Sequence, residues 1–101
     1  MVAMIEQQRE ALAVLCERFG VRRLDLFGSA VVGHFDPATS DLDFVAEFAG
    51  AEEPGYARRY IEFVEALEEL FQRPVDLLTE RMIGDRHFRE TIERTRRRVY
   101  E

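Results

Sequence analysis

The chain has 101 residues, 47% hydrophobic and 34% charged, with a net charge of −6; this suffices for one domain over residues 1–101 with one core, and excludes wholesale disorder. Its only cysteine, Cys16, excludes an internal disulfide, and all 14 basic residues are Arg, which excludes a Lys nucleophile and a P-loop lysine. No stretch approaches the ~20 apolar residues of a membrane span, and residues 1–6 show neither a basic leader nor a secretory apolar core, so a cytoplasmic protein without membrane contact is expected.

Charge is uneven along the chain. Residues 1–80 carry 7 Arg against 16 acids, and residues 81–101 carry 7 Arg against 4 acids. An acidic body argues against direct, indiscriminate nucleic-acid binding, because phosphate contacts need basic surface.

Residues 4–19 read as a helix, with Ala11, Leu12, Leu15, Cys16 and Phe19 at helical spacing and Gly20 as the stop. On that apolar face Cys16 reads as a packed thiol. Residues 22–27 alternate, Leu24 and Leu26 against Asp25 and Phe27, which predicts a strand ending at Gly28. Residues 34–40, with Asp36-Pro37, read as a loop. A second strand is expected over 41–48, then a turn-rich connector and an amphipathic helix over 56–71. That helix lines Tyr60, Phe63, Val64, Leu67, Leu70 and Phe71 along one face. A third strand over 74–79, arriving after a helix, implies a parallel crossover. Residues 82–99 read as a last helix with a weaker stripe of Met82, Ile83, Phe88, Ile92 and Val99.

The chemistry lies in Gly28-Ser29, eleven residues, then Asp41-Leu42-Asp43. In a strand, residues i and i+2 share a face, about 6.6 Å apart at ~3.3 Å rise per residue. Two bare carboxylates at that distance repel by roughly 2.5 kcal/mol at an effective dielectric of about 20, a cost that solvent or a cation offsets. Their oxygens are hard donors suited to magnesium or manganese, and a metal pair can clamp both oxygens of a phosphoryl displacement. A solvated strand end gives the same pattern. Gly28 allows a sharp turn and close backbone approach, and Ser29 caps a short turn of helix through Ala30-Val31-Val32 that favours phosphate; an ordinary strand-to-helix turn is the plain alternative. Asp76, between Val75 and Leu77-Leu78, is costly to bury unless paired, hydrated or metal-bound; a solvent-facing edge strand is its plain alternative.

Together, Leu26-Phe27-Gly28-Ser29, Ser40-Asp41-Leu42-Asp43-Phe44-Val45 and Arg73-Pro74-Val75-Asp76-Leu77-Leu78-Thr79 resemble the minimal nucleotidyltransferases of the DNA polymerase beta-like superfamily. The resemblance implies an α/β (α+β) fold, a small mixed sheet with helices packed on one face. It implies magnesium-dependent transfer of a nucleotide monophosphate, AMP from ATP, to a hydroxyl of a partner protein, with tyrosine as the expected acceptor. By that likeness Asp41 and Asp43 hold two Mg2+ ions, Asp76 holds one and helps activate the hydroxyl, and Gly28 and Ser29 hold the triphosphate. The implied partner is a HEPN-type ribonuclease toxin silenced by this chain as antitoxin, in a hetero-oligomer. Inhibition by occlusion without catalysis is the alternative, and a free-standing transferase a third reading. Relatives often carry Arg just after the Gly-Ser, where this chain has Ala30, Val31 and Val32; Arg58 or Arg59 are candidate substitutes.

Other residues read as structural. His34 is a lone loop histidine, and His87 lacks partners at metal-site spacing. Tyr56, Tyr60 and Tyr100 are candidates for self-modification, although Tyr60 sits on the packing stripe of the 56–71 helix. The run Arg94, Arg96, Arg97, Arg98 reads as a helix C-terminus complementing its dipole, or as a docking surface for an acidic partner.

Overall fold

Strands β1 (Val21–Phe27) and β2 (Leu42–Phe48) carry the sequence alternation into an antiparallel pair, with Leu26 opposite Phe44 and Phe27 opposite Asp43. The structure is a computed structural model and describes residues 3–32 and 41–101; the expected loop over 34–40, with His34, lies outside these. Strand β3 (Val75–Thr79) joins β2 in parallel, and β4 (Arg97–Tyr100) joins β1 antiparallel, giving a mixed sheet in the order β3-β2-β1-β4. The parallel join requires a crossover, supplied by helix α4 (Tyr56–Phe71) as its sequence predicts.

Before β1 come α1 (Ala3–Gln7) and α2 (Arg9–Arg18), and after it α3 (Ser29–Val32). The expected helix over 4–19 is thus broken at Gln8, whose backbone leaves helical geometry at ψ 14°. Ile5 and Leu12 both bury fully across this break. Leu24, Leu26, Leu42, Phe44, Ala46 and Leu77 point to one face and pack against Leu12, Cys16 and Phe19 of the α2 segment and Phe63, Leu67 and Phe71 of α4. Each Leu and Phe among them contributes roughly 1.5–3 kcal/mol by leaving water. Phe48 anchors an aromatic group with Tyr56 and Phe63 edge-on at 5.4 and 5.7 Å. Cys16 is buried, and burial pushes its thiol up to about 12.

The expected helix over 82–99 is corrected. A 3-10 turn (Glu80–Met82) precedes α5 (Arg86–Thr95), and the chain then becomes strand β4. The Asp85 carboxylate accepts from the Phe88 N–H at 2.9 Å, which starts α5. Arg96 then turns extended, at φ −61° and ψ 138°. Sheet pairing decides this ending. β1 has an open edge, and Arg97-Arg98-Val99-Tyr100 fills it, burying Val99 in the core. Arg96 and Arg98 straddle the buried carboxylate of Asp25, with Nε atoms 2.8 and 2.6 Å from its two oxygens. α5 covers part of the opposite sheet face, where Ile83 and Ile92 pack on Phe27 and Val45. Among the described residues no helix is long and apolar enough to cross a membrane.

Candidate active site

The β2–β3 ladder opens with the Leu42 N–H donating to the Pro74 carbonyl at 3.1 Å, and the next register pair is Asp43 with Asp76. The Glu68 carboxylate at the end of α4 also accepts from the Val75 N–H at 3.1 Å, fixing where β3 begins. A one-residue slip would turn Asp76 to the opposite face. In register, Phe27, Asp43 and Asp76 form a row across three strands on the face that α5 partly covers. Neighbouring strands lie ~4.8 Å apart. Asp41, just before β2, shares the side of Asp43 by strand alternation.

Asp43 is half-buried, while Asp41 and Asp76 are exposed. Burial, the negative charge of Asp76, a hydrogen bond shared with Asp76 and the charge of Asp41 push Asp43 up to about 6. Asp76 does sit on an edge strand facing solvent, as its plain reading had it, yet beside Asp43.

Gly28 ends β1 at φ +81°, and a Cβ there would lie 2.7 Å from the Asp43 Oδ2. Both the backbone angle and the approach of that carboxylate require glycine. The Gly28 N–H donates to the Thr95 Oγ1 at 3.0 Å, which ties the end of α5 to the turn. Ser29 then opens α3, and the Gly28 carbonyl accepts from the Val31 N–H at 3.0 Å. The fold thus brings Gly28, Ser29, Asp43 and Asp76 to one end of the sheet, with Asp41 at its rim.

Among the described residues, no three His, Cys, Asp or Glu side chains stand close enough to form a ready metal cluster. The donor set nonetheless fits a hard divalent cation at the Asp43–Asp76 pair. Those carboxylates are paired in register on one face of the sheet, and the absence of a side chain at Gly28 lets the Asp43 carboxylate lie against the turn.

One other expectation is corrected. Arg59 donates to the carbonyls of Phe19, Ala49 and Gly50 at 2.9, 2.6 and 3.1 Å. This is the far end of β1 and β2, on the order of 17 Å from Asp43 at ~3.4 Å rise per residue, so neither Arg59 nor adjacent Arg58 substitutes for a cation at Gly28-Ser29. Arg96 and Arg98 both pair with Asp25, and Arg98 keeps 40% of its side chain exposed. Tyr60 donates its hydroxyl to the Leu77 carbonyl and packs against the core, as its place on the apolar stripe of α4 predicts.

Sequence reasoning missed Asp25, Thr95 and the placement of Phe88. An acid alternating with Phe27 in a strand, with unmatched Arg near the C-terminus, was the available signal for Asp25. Thr95 and Phe88 gave none, because their roles depend on how α5 crosses the sheet.

Comparison with known proteins identifies the fold as a nucleotidyltransferase one. The chain belongs to the nucleotidyltransferase domain family, which it matches over residues 8–99, and is a nucleotidyltransferase of the minimal type. It is 31% identical over 85 residues to a candidate protein adenylyltransferase of Methanocaldococcus jannaschii, covering 84% of this chain and 83% of that one. Among solved structures it resembles a candidate minimal nucleotidyltransferase at 30% identity and TM-score 0.75, covering 96% of this chain and 95% of that one. It also shares its fold with a toxin–antitoxin solved with AMP-PNP (17% identity, TM-score 0.67, 91% and 72% of the two chains). A tri-AMPylated Shewanella oneidensis HEPN toxin in complex with MNT antitoxin is a further fold neighbour (14% identity, TM-score 0.64, 95% and 71%).

Proposed function

We propose that this chain, acting as one domain, transfers AMP from ATP with Mg2+ to a tyrosine hydroxyl of a HEPN-type toxin and so serves as its antitoxin. The observation that carries this is the register pairing of Asp43 with Asp76 beside Gly28. The family is one of nucleotidyltransferases, and the candidate protein adenylyltransferase relative and the AMPylated HEPN complex among the fold neighbours support a protein acceptor and a HEPN-type partner. Asp41 and Asp43 would hold two metal ions, and Asp76 would hold one of them and receive the hydroxyl proton. Gly28, Ser29 and the first turn of α3 seat the triphosphate. Bound Mg2+ supplies charge neutralisation at the phosphates. The acceptor oxygen bonds to the α-phosphorus, the bond to the pyrophosphate oxygen breaks, and pyrophosphate leaves.

A second reading is that protection comes from covering the toxin. One observation favours it: no Arg follows Gly28-Ser29, and Arg59 is committed elsewhere. The test combines the chain, the HEPN-type protein and Mg2+ with ATP labelled at the α-phosphate. Label on a toxin tyrosine, lost in D41N/D43N while the complex still forms, supports transfer. Full protection by that double variant supports covering, and absence of label with the wild type overturns the transfer reading.

A further inference from the structure

The Gly28-Ser29 turn is held by a side chain of the last helix. The Gly28 N–H donates to the Thr95 Oγ1 at 3.0 Å, across 67 residues of sequence. The Thr95 hydroxyl proton points back along α5, towards the Ile92 and Thr91 carbonyls at 3.4 and 3.5 Å, which leaves its lone pairs for Gly28. A β-branched side chain is stiff at χ1, so the acceptor is aimed. The helix that carries it is seated on the sheet. Ile92 is fully buried on Phe27 and Val45, and the Phe88 ring meets Phe27 edge-on at 6.5 Å. Arg96, the next residue, pairs with Asp25, Glu80 and Glu93 at 2.8, 2.9 and 2.5 Å. Thr95 therefore approaches the turn from a fixed element.

We propose that Thr95 is a positioning residue for the triphosphate, its hydroxyl fixing the Gly28-Ser29 turn in the shape that receives the β- and γ-phosphates; this rests on the transfer reading above. Gly28 needs such a brace. Glycine takes positive and negative φ about equally readily, yet here it stands at φ +81° with its bare Cα against the Asp43 carboxylate. Ser29 opens α3 directly after it, and the Gly28 carbonyl accepts from the Val31 N–H at 3.0 Å. A swing of the Gly28 peptide would therefore carry Ser29 and the start of α3 with it. Because the Gly28 N–H is committed to Thr95, Gly28 serves the nucleotide through its conformation, and Ser29 serves it by contact. Thr95 acts through the turn rather than on the phosphates. Thr91, one turn back on the same helix, is exposed and donates its hydroxyl to the His87 carbonyl at 3.1 Å, which makes it the matched control.

The experiment compares wild type, T95V, T95S and T91V at a temperature where urea unfolding shows all four folded. NMR titration measures binding of the α,β-methylene analogue of ATP and of AMP, each with Mg2+. T95V keeps the side-chain shape and removes its oxygen, which leaves the Gly28 N–H without its acceptor. It should weaken the triphosphate analogue about tenfold. It should leave AMP, which lacks the β- and γ-phosphates, within about twofold of wild type. T95S should restore binding of the analogue, and T91V should bind as wild type does. Amide exchange at Gly28 should be about tenfold faster in T95V and unchanged in T95S and T91V. Unaltered binding of the analogue by T95V, equal weakening of analogue and AMP, or a T95S that binds as poorly as T95V overturns the inference. Each would leave Thr95 as a brace of the fold alone. A wild type that binds neither nucleotide overturns the transfer reading and this inference with it, whereas normal wild-type binding matched by T95V overturns the inference by itself.

Discussion

Asp43→Asn should stabilise the protein while abolishing transfer. In EDTA, Asp43 titrates near 6 against an ordinary 3.8. A two-unit rise is worth about 3 kcal/mol at 1.36 kcal/mol per unit, and water reaching this half-buried group reduces it to about 1.5 kcal/mol. Because the folded value is raised, the contribution is full below pH 3.8 and is lost as pH rises through about 6. Asn carries no charge and can still hydrogen-bond Asp76. D43N should therefore match wild type near pH 4 and exceed it by about 1.5 kcal/mol at pH 7.5, or roughly 6 °C in Tm. Urea unfolding at both pH values in EDTA measures this. Millimolar Mg2+ should raise wild-type stability by linkage and leave D43N unmoved. A D43N no more stable than wild type at pH 7.5, or a difference that does not change with pH, refutes the reasoning.

D25N should cost about 3 kcal/mol in urea unfolding, because it strips the buried partner from Arg96 and Arg98; a cost under 1 kcal/mol would show that the pairing does not hold β4. G28A should lose about 1–2 kcal/mol from its left-handed backbone and reduce transfer at least tenfold by displacing the Asp43 carboxylate; wild-type turnover would remove Gly28 from the site. Cys16 should resist a thiol reagent at pH 8 until the protein unfolds, since burial holds its thiol near 12; rapid native labelling would contradict its packing.

Local pattern made much of this molecule legible. The apolar period of α4 gave Tyr56–Phe71 with its bounds, and alternation gave β1 and β2, because those signals repeat within one element. The expectation over 82–99 failed because local spacing did not contain the deciding partner. Val99 continues a helical stripe on paper, but the open edge of β1 and the Asp25 carboxylate, more than 70 residues upstream, draw the segment into a strand.

The sequence alone therefore determined which residue types could do the chemistry, the acid pair around Leu42, the glycine-serine turn and the lone Asp76, since each is a short-range pattern with its own physical cost. Tertiary structure decided that Asp43 faces Asp76, that Thr95 holds Gly28, that Arg59 serves a distant turn and that Phe88 overlooks the carboxylates. Those facts depend on strand register and helix crossing, which are fixed by contacts between segments far apart in the chain.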